Sequence, residues 1–75
     1  MPHYLEVSYS DEEGSEELDG ALKDLAGKYS GKVSGSSDRD DRRSLEFIFP
    51  HFAQCSWFSA DIQTNHPSVT IERFS

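Results

Sequence analysis

Along the chain, apolar residues recur first every two residues, then about every 3.6 residues, and then every two residues again. This change of period restricts the fold more than any other feature. Residues 3–9 alternate, as in a half-buried strand. Residues 18–29 carry apolar side chains at the spacing of an amphipathic helix, and Gly31 follows as a stop. Residues 43–49 alternate again. A chain with both periods contains helices and strands, so we predict the α+β class.

The weaker segments fill the gaps between these elements. Residues 32–37 are rich in serine and glycine with Val33 as an apolar anchor, which indicates a strand at a sheet edge. Residues 38–42 form a charged turn. Residues 68–74, with Val69 and Ile71, predict a last strand.

Residues 51–64 allow two interpretations. Phe52, Cys55, Phe58 and Ile62 share one helical face, but the segment is rich in weak helix formers, so a strand is the alternative. Asn65 and the proline two residues later resemble a helix stop, which favours the helix.

The predicted order is β-α-β-β-α-β, the order of a ferredoxin-like fold with a four-stranded antiparallel sheet and two helices on one face. A length of 75 residues suits one domain, residues 1–75. In this topology the connections at residues 10–15, 37–42 and 65–67 lie at the same end of the sheet. Acidic residues of two of these connections should therefore share one rim.

Acidic residues are concentrated near the N-terminus. Of 14 Asp and Glu residues, seven lie in residues 1–22, which contain no Lys or Arg, so this segment accounts for the net charge of −7. Such a charge disfavours direct contact with nucleic acid or an anionic membrane, and it suits a basic protein surface. Helix-dipole stabilisation and solubility explain any single acid equally well. The candidate partner-binding residues are Asp11, Glu12, Glu13, Glu16, Glu17, Asp19, Asp24, Asp38, Asp40 and Asp41.

Motifs for metals and catalysis fail on spacing. Calcium-binding loops beginning at Asp11 or Asp38 lack the glycine and glutamate that an EF-hand needs. The three histidines are far apart, and Cys55 between Phe52 and Phe58 suits a core position. No phosphate-binding glycine loop occurs. We therefore expect no metal, no cofactor and no enzymatic activity.

Residues 43–49 also differ from the RNA-binding RNP1 pattern. Both glycine positions of that pattern are absent, and Leu45 stands where an aromatic side chain should stack on a base. Glu6 and Glu46 are predicted on the open sheet face, where they would repel phosphates.

In its small size, acidity, single domain and absence of catalytic motifs, the chain resembles phage-encoded anti-CRISPR proteins that mimic DNA. The resemblance implies steric blockade of a basic DNA-binding surface, in some cases on type I surveillance complexes, without turnover. Many such mimics are acidic along most of their length, whereas residues 23–75 carry seven acids and seven bases. Arg39, Arg42 and Arg43 are departures from a pure mimic.

Two other functions remain as alternatives. A ferredoxin-like interaction module would use an edge strand or its open sheet face, with Tyr4, Ile48 and Phe74 as apolar contacts. A small-molecule sensor or enzyme rests on fold analogy alone. The chain has no apolar segment of about 20 residues and no basic N-terminal segment. We expect a cytoplasmic monomer or weak homodimer, in the bacterial host cell if phage-encoded.

Overall fold

A computed structural model describes residues 2–10 and 15–74 of the chain. These residues form β1 (His3–Ser10), α1 (Ser15–Lys28), β2 (Lys32–Arg39), β3 (Arg42–Phe49), α2 (Phe52–Asn65) and β4 (Thr70–Phe74). The strands make one antiparallel sheet in the order β2-β3-β1-β4. The predicted ferredoxin-like α+β fold is confirmed, and so is the helical interpretation of residues 51–64.

The core lies between the helices and one face of the sheet. Alternation in β1 and β3 turns Leu5, Val7, Leu45, Phe47 and Phe49 inward, where all are fully buried. The helices cover them with buried side chains of their own, which are Leu22, Ala26, Cys55, Phe58 and Ile62. The Phe58 ring lies 5.0 Å from the Phe47 ring and 5.1 Å from the Phe49 ring. Burying one such ring stabilises the fold by about 1.5–3 kcal/mol, so this aromatic cluster holds α2 on the sheet.

The C-terminus of α1 is closed by a pair of backbone hydrogen bonds. Gly31 donates to the Ala26 carbonyl at 2.7 Å, and Ser30 donates to the Gly27 carbonyl at 3.1 Å, which is the Schellman arrangement. Ser30 takes the left-handed position with φ of 65°, which the sequence had suggested for glycine. Gly31 is needed for a different reason, because a Cβ there would enter the space of the Phe49 ring.

The hairpin between β2 and β3 is tighter than the predicted turn over residues 38–42. Strand pairing extends to Arg39 and Arg42, and the two intervening residues make the turn. Asp40 and Asp41 have φ of 48° and 66°, as a type I′ turn requires. Aspartate tolerates this region better than most residues, so the chain can place two carboxylates at the hairpin tip.

Phe74 does not lie on the open sheet face, so this part of the alternative prediction is wrong. The pairing of β1 with β4 is irregular between Glu6 and Val7, because Arg73 pairs with Glu6 while Ile71 pairs with Val7. The extra residue, Glu72, interrupts the alternation, as in a β-bulge. Phe74 therefore pairs with Leu5, and its ring contacts Phe52 of α2 at 5.5 Å.

Candidate partner-binding rim

Acidic side chains from α1 and from the hairpin lie at the same end of the molecule. Ser10, the last residue of β1, pairs with Arg42, which pairs with Arg39 on its other side, so three strand ends lie side by side. The first turn of α1 belongs to this end because it follows β1 after four residues. We call the following set the acidic rim: Glu16, Glu17, Asp38, Asp40 and Asp41.

Asp19 connects α1 to the sheet at this end. Its Oδ1 accepts hydrogen bonds from the Tyr9 hydroxyl at 2.5 Å and from Arg43 Nε at 2.6 Å. Its Oδ2 pairs with Lys23 Nζ at 2.9 Å. Arg43 also reaches Asp38 Oδ1 at 3.2 Å. One network therefore fixes the N-terminal half of α1 against β1 and the base of the hairpin.

The network changes the pKa values of its members. Burial opposes ionisation of Asp19, but hydrogen bonds from Arg43, Lys23 and Tyr9 outweigh it and hold the Asp19 pKa well below its ordinary value. Burial, followed by the hydrogen bond to Asp19, raises the pKa of Tyr9. The hydrogen bond to Asp19 raises the pKa of Arg43. Asp19 is thus an ionised, inward-facing carboxylate, with a side chain only 14% exposed.

The other candidate acids differ in their surroundings. Glu16, Glu17, Asp40 and Asp41 are exposed, and within residues 2–10 and 15–74 none of their carboxylates forms an ion pair. Asp38 is paired with Arg43 although its side chain is 61% exposed. The other candidate acids, Asp24, Asp11, Glu12 and Glu13, do not belong to the acidic rim.

Asp24 is exposed on α1, seven residues after Glu17 and therefore on the same helical face, about 10 Å further along the axis. It extends the acidic surface along α1 and does not belong to the rim itself. Asp11, Glu12 and Glu13 lie outside the described residues.

Two arginines of the hairpin, Arg39 and Arg42, are directed to the open sheet face. Arg42 Nη2 donates to Ser8 Oγ at 3.0 Å, and Ser8 donates in turn to Glu72 at 2.6 Å. Arg39 is directly opposite Arg42 in the ladder and shares its face. Arg39 and Arg42 are therefore on the open side of the sheet, while Arg43 is on the helical side with Asp19.

The open face of the sheet is polar, and its Glu46 is paired on that face. Arg73 forms an ion pair with Glu46 at 2.8 Å, and the Ser34 hydroxyl donates to the same carboxylate at 3.0 Å. Tyr4 and Ile48 face each other across β1 and β3 and supply apolar surface there. This face is a network of polar contacts with a small apolar patch beside it.

No metal centre is formed within residues 2–10 and 15–74, where no three His, Cys, Asp or Glu side chains are grouped for one. Cys55 is fully buried, and burial raises the pKa of its thiol. Among the described helices, none has the length and apolar character needed to cross a membrane.

The sequence predictions overlooked an aromatic groove between the C-terminal end of α1 and the outer face of α2. It is lined by Tyr29 of the α1 C-terminus and by Trp57, Ala60, Asp61 and Thr64 of α2. The spacing of Trp57 and Asp61, one helical turn apart, was visible in the sequence. The approach of Tyr29 from a different helix was not.

No protein-family model matches this chain, and a comparison with curated proteins gives no match either.

Proposed function

We propose that this chain is a non-enzymatic inhibitor that binds the basic, nucleic-acid-binding surface of a partner protein through its acidic rim. The observation that carries the proposal is the presence, at one end of the molecule, of exposed carboxylates that form no ion pair within the described residues, namely Glu16 and Glu17 on α1 and Asp40 and Asp41 at the hairpin tip, with Asp40 beside Arg39 and Arg42. Mimicry of DNA in the manner of anti-CRISPR proteins, with blockade of target recognition, is the specific form that we propose.

The chemistry of such a partner matches the rim. A groove that binds duplex DNA presents Lys and Arg side chains to about one negative charge per 1.7 Å. Carboxylates held on two adjacent elements can occupy part of that groove, and complementary charges accelerate encounter. Because Asp19 and Arg43 fix α1 against the hairpin, little conformational freedom is lost on binding.

The alternative interaction module, which would use the open sheet face or a sheet edge, has weaker support. Glu46 on the open face is already paired with Arg73 and Ser34, and Phe74 is turned to the helical side. The edge strand β2 has a register shift between Val33 and Gly35, and such irregularity hinders pairing with another strand. The other edge strand, β4, has only five residues.

The test is competition for DNA on a purified type I CRISPR surveillance complex. We expect excess protein to prevent binding of a labelled target duplex. The variant Glu16→Lys/Glu17→Lys should weaken inhibition at least tenfold, because attraction to basic side chains becomes repulsion. The expected inhibition should also fall steeply as salt is raised.

The matched control is Glu6→Lys/Glu46→Lys, which reverses two acids on the open sheet face and changes the net charge by the same amount. It should inhibit like the unmodified protein, and circular dichroism should show both variants folded. Unhindered duplex binding at saturating protein would reject surveillance complexes of this type as the partner. Loss of inhibition in the control with retention in the α1 variant would reject the rim and assign binding to the sheet face.

A further inference from the structure

The two helices differ sharply in charge. Six of the 14 residues of α1 are charged, whereas α2, also 14 residues long, carries one charged residue, Asp61. The outward stripe of α2 consists of Ala53, Trp57, Ala60 and Thr64, all exposed. In a chain with 28% charged residues, this is an unusually uncharged outer helical face.

Trp57 is the most exposed large apolar side chain of the described residues, with 58% of its surface accessible. Its ring is 6.4 Å from that of Tyr29 at an angle of 47°, so the two rings form the sides of an open groove. Tryptophan is enriched among residues that dominate binding energy at protein interfaces. The groove therefore has the apolar half of a binding site.

Asp61 supplies the polar half of the same groove. Its Oδ2 accepts from the Tyr29 hydroxyl at 2.6 Å, and its Oδ1 accepts from the Asn65 amide. Both donors are neutral, so they fix the orientation of the Asp61 carboxylate without neutralising its negative charge. A carboxylate offers about four acceptor positions, which leaves room for a further donor on each oxygen.

The electrostatics of the groove favour a cation. The hydrogen bond from Tyr29 lowers the pKa of Asp61 against the effect of burial, with smaller contributions from Asn65 and the nearby Lys28 and His66. Lys28 Nζ already lies 5.6 Å from the centre of the Tyr29 ring. An aromatic face beside a carboxylate attracts positive charge, and guanidinium combines ring stacking with a planar fork of donors.

We propose that this groove binds an arginine side chain of a partner protein, with the guanidinium stacked on the exposed Trp57 ring beside Tyr29 and its N–H groups donating to Asp61. This site lies beyond the proposed function of the rim, since Tyr29 lies about 20 Å from Glu16 along the axis of α1. A second copy of the chain is a poor occupant, because each copy carries a net charge of −7.

The protein contains a single tryptophan, so its fluorescence reports directly on the groove. The probe is the blocked tripeptide acetyl-Gly-Arg-Gly-amide, titrated at constant ionic strength against the peptide with neutral citrulline in place of arginine. We expect a saturable change in emission with the arginine peptide, with half-saturation on the order of 10 mM. The citrulline peptide should produce no saturable change.

Two pairs of variants separate the groove from general charge effects. Asp61→Asn should weaken binding at least fivefold, whereas Asp24→Asn, which removes an exposed acid from α1, should leave it unchanged. Lys28→Met should strengthen binding about twofold because it removes a competing cation, whereas Lys32→Met on β2 should have no effect. Lys28→Met keeps every Asp61 hydrogen bond, so it tests the site even if Asp61→Asn is unfolded.

Three results would overturn the proposal. Equal binding of the citrulline peptide would mean an apolar groove that does not select charge. Absence of any saturable change with the arginine peptide would mean that the groove does not accept guanidinium. A change in emission with protein concentration alone, together with dimerisation in analytical ultracentrifugation, would assign the groove to a second copy of the chain. None of these results bears on duplex competition by the rim, so the two proposals fail separately.

Discussion

Helices α1 and α2 cover the same face of the sheet but are attached to it by different interactions. α2 is held by Phe58 and Ile62, which are fully buried, and the Phe58 ring packs against the aromatic residues of β3. α1 buries Leu22 and Ala26, and it is fixed at its N-terminal half by the charged contacts of Asp19. The comparison indicates that α2 is held on the sheet by packing, while the attachment of α1 to the sheet depends partly on ionisation.

The same comparison extends to the outer surfaces. α1 presents carboxylates to solvent beside the hairpin, and α2 presents Trp57 and small side chains. Charged surfaces remain hydrated in an isolated protein, whereas an exposed aromatic residue gains from a partner. The two helices therefore suit two kinds of contact, a charged one at the rim and an aromatic one at the groove.

Removing the packing of α2 should have the largest effect. Phe58→Ala should lower the free energy of unfolding by about 3–5 kcal/mol, because it removes a ring buried between Phe47 and Phe49. Trp57→Ala changes the preceding residue of the same helix, which is exposed, and should change the free energy of unfolding by less than about 1 kcal/mol. Urea denaturation followed by circular dichroism measures both. Similar losses in the two variants would mean that the outer face of α2 is part of the core.

Removing the charged attachment of α1 should have an intermediate effect. Asp19→Asn should cost about 2 kcal/mol at neutral pH, because charge-assisted bonds from Arg43 and Tyr9 are lost. The Asp19 pKa is lower in the folded than in the unfolded chain, so its contribution is complete above about pH 4–5 and is lost as pH falls through the folded pKa. The difference in free energy of unfolding between the unmodified protein and Asp19→Asn, measured by urea denaturation, should therefore be constant from pH 5 to 8 and become smaller in acid.

The matched substitution for that test is Asp24→Asn, an exposed acid on the same helix. It should leave both the stability and its acid dependence nearly unchanged. If Asp19→Asn behaves like Asp24→Asn across the whole pH range, the network around Asp19 does not fix α1, and the contrast between the helices is wrong.

Local sequence was sufficient for the order of elements and for the core. Alternation identified β1 and β3, and the stripe from Leu18 to Tyr29 identified α1, because burial on one face imposes a period directly on the sequence. The bulge that turns Phe74 to the helical side was not predictable, because it arises from pairing with β1. Alternation within β4 alone does not show the extra residue, Glu72, because it appears only in the pairing with β1.

The candidate site was predictable in part for the same reason. The topology brings the start of α1 and the hairpin to one end, so the placement of their acids at that end followed from element order. That Asp19 faces inward to Tyr9 and Arg43 did not follow, because all the acids of this segment look alike in sequence. The groove of Trp57 and Tyr29 depends on contact between α2 and the residue that follows α1, which are distant in sequence.

The smallest predicted effect concerns the glycines of α1, where charged attachment coexists with poor helix propensity. A Cβ at Gly27 meets no atom within 4 Å, and the residue is exposed. Gly27→Ala should therefore raise the free energy of unfolding by about 0.5–1 kcal/mol through helix propensity. Gly31→Ala is the matched control, because the same methyl group would collide there with the buried Phe49 ring and should destabilise the protein. Thermal denaturation distinguishes the two signs, and a loss of stability on Gly27→Ala would mean that α1 needs flexibility at this position. A gain would show that the intrinsic helix propensity of α1 is below its optimum. The stability of α1 would then depend more on the Asp19 contacts and on the packing of Leu22 and Ala26.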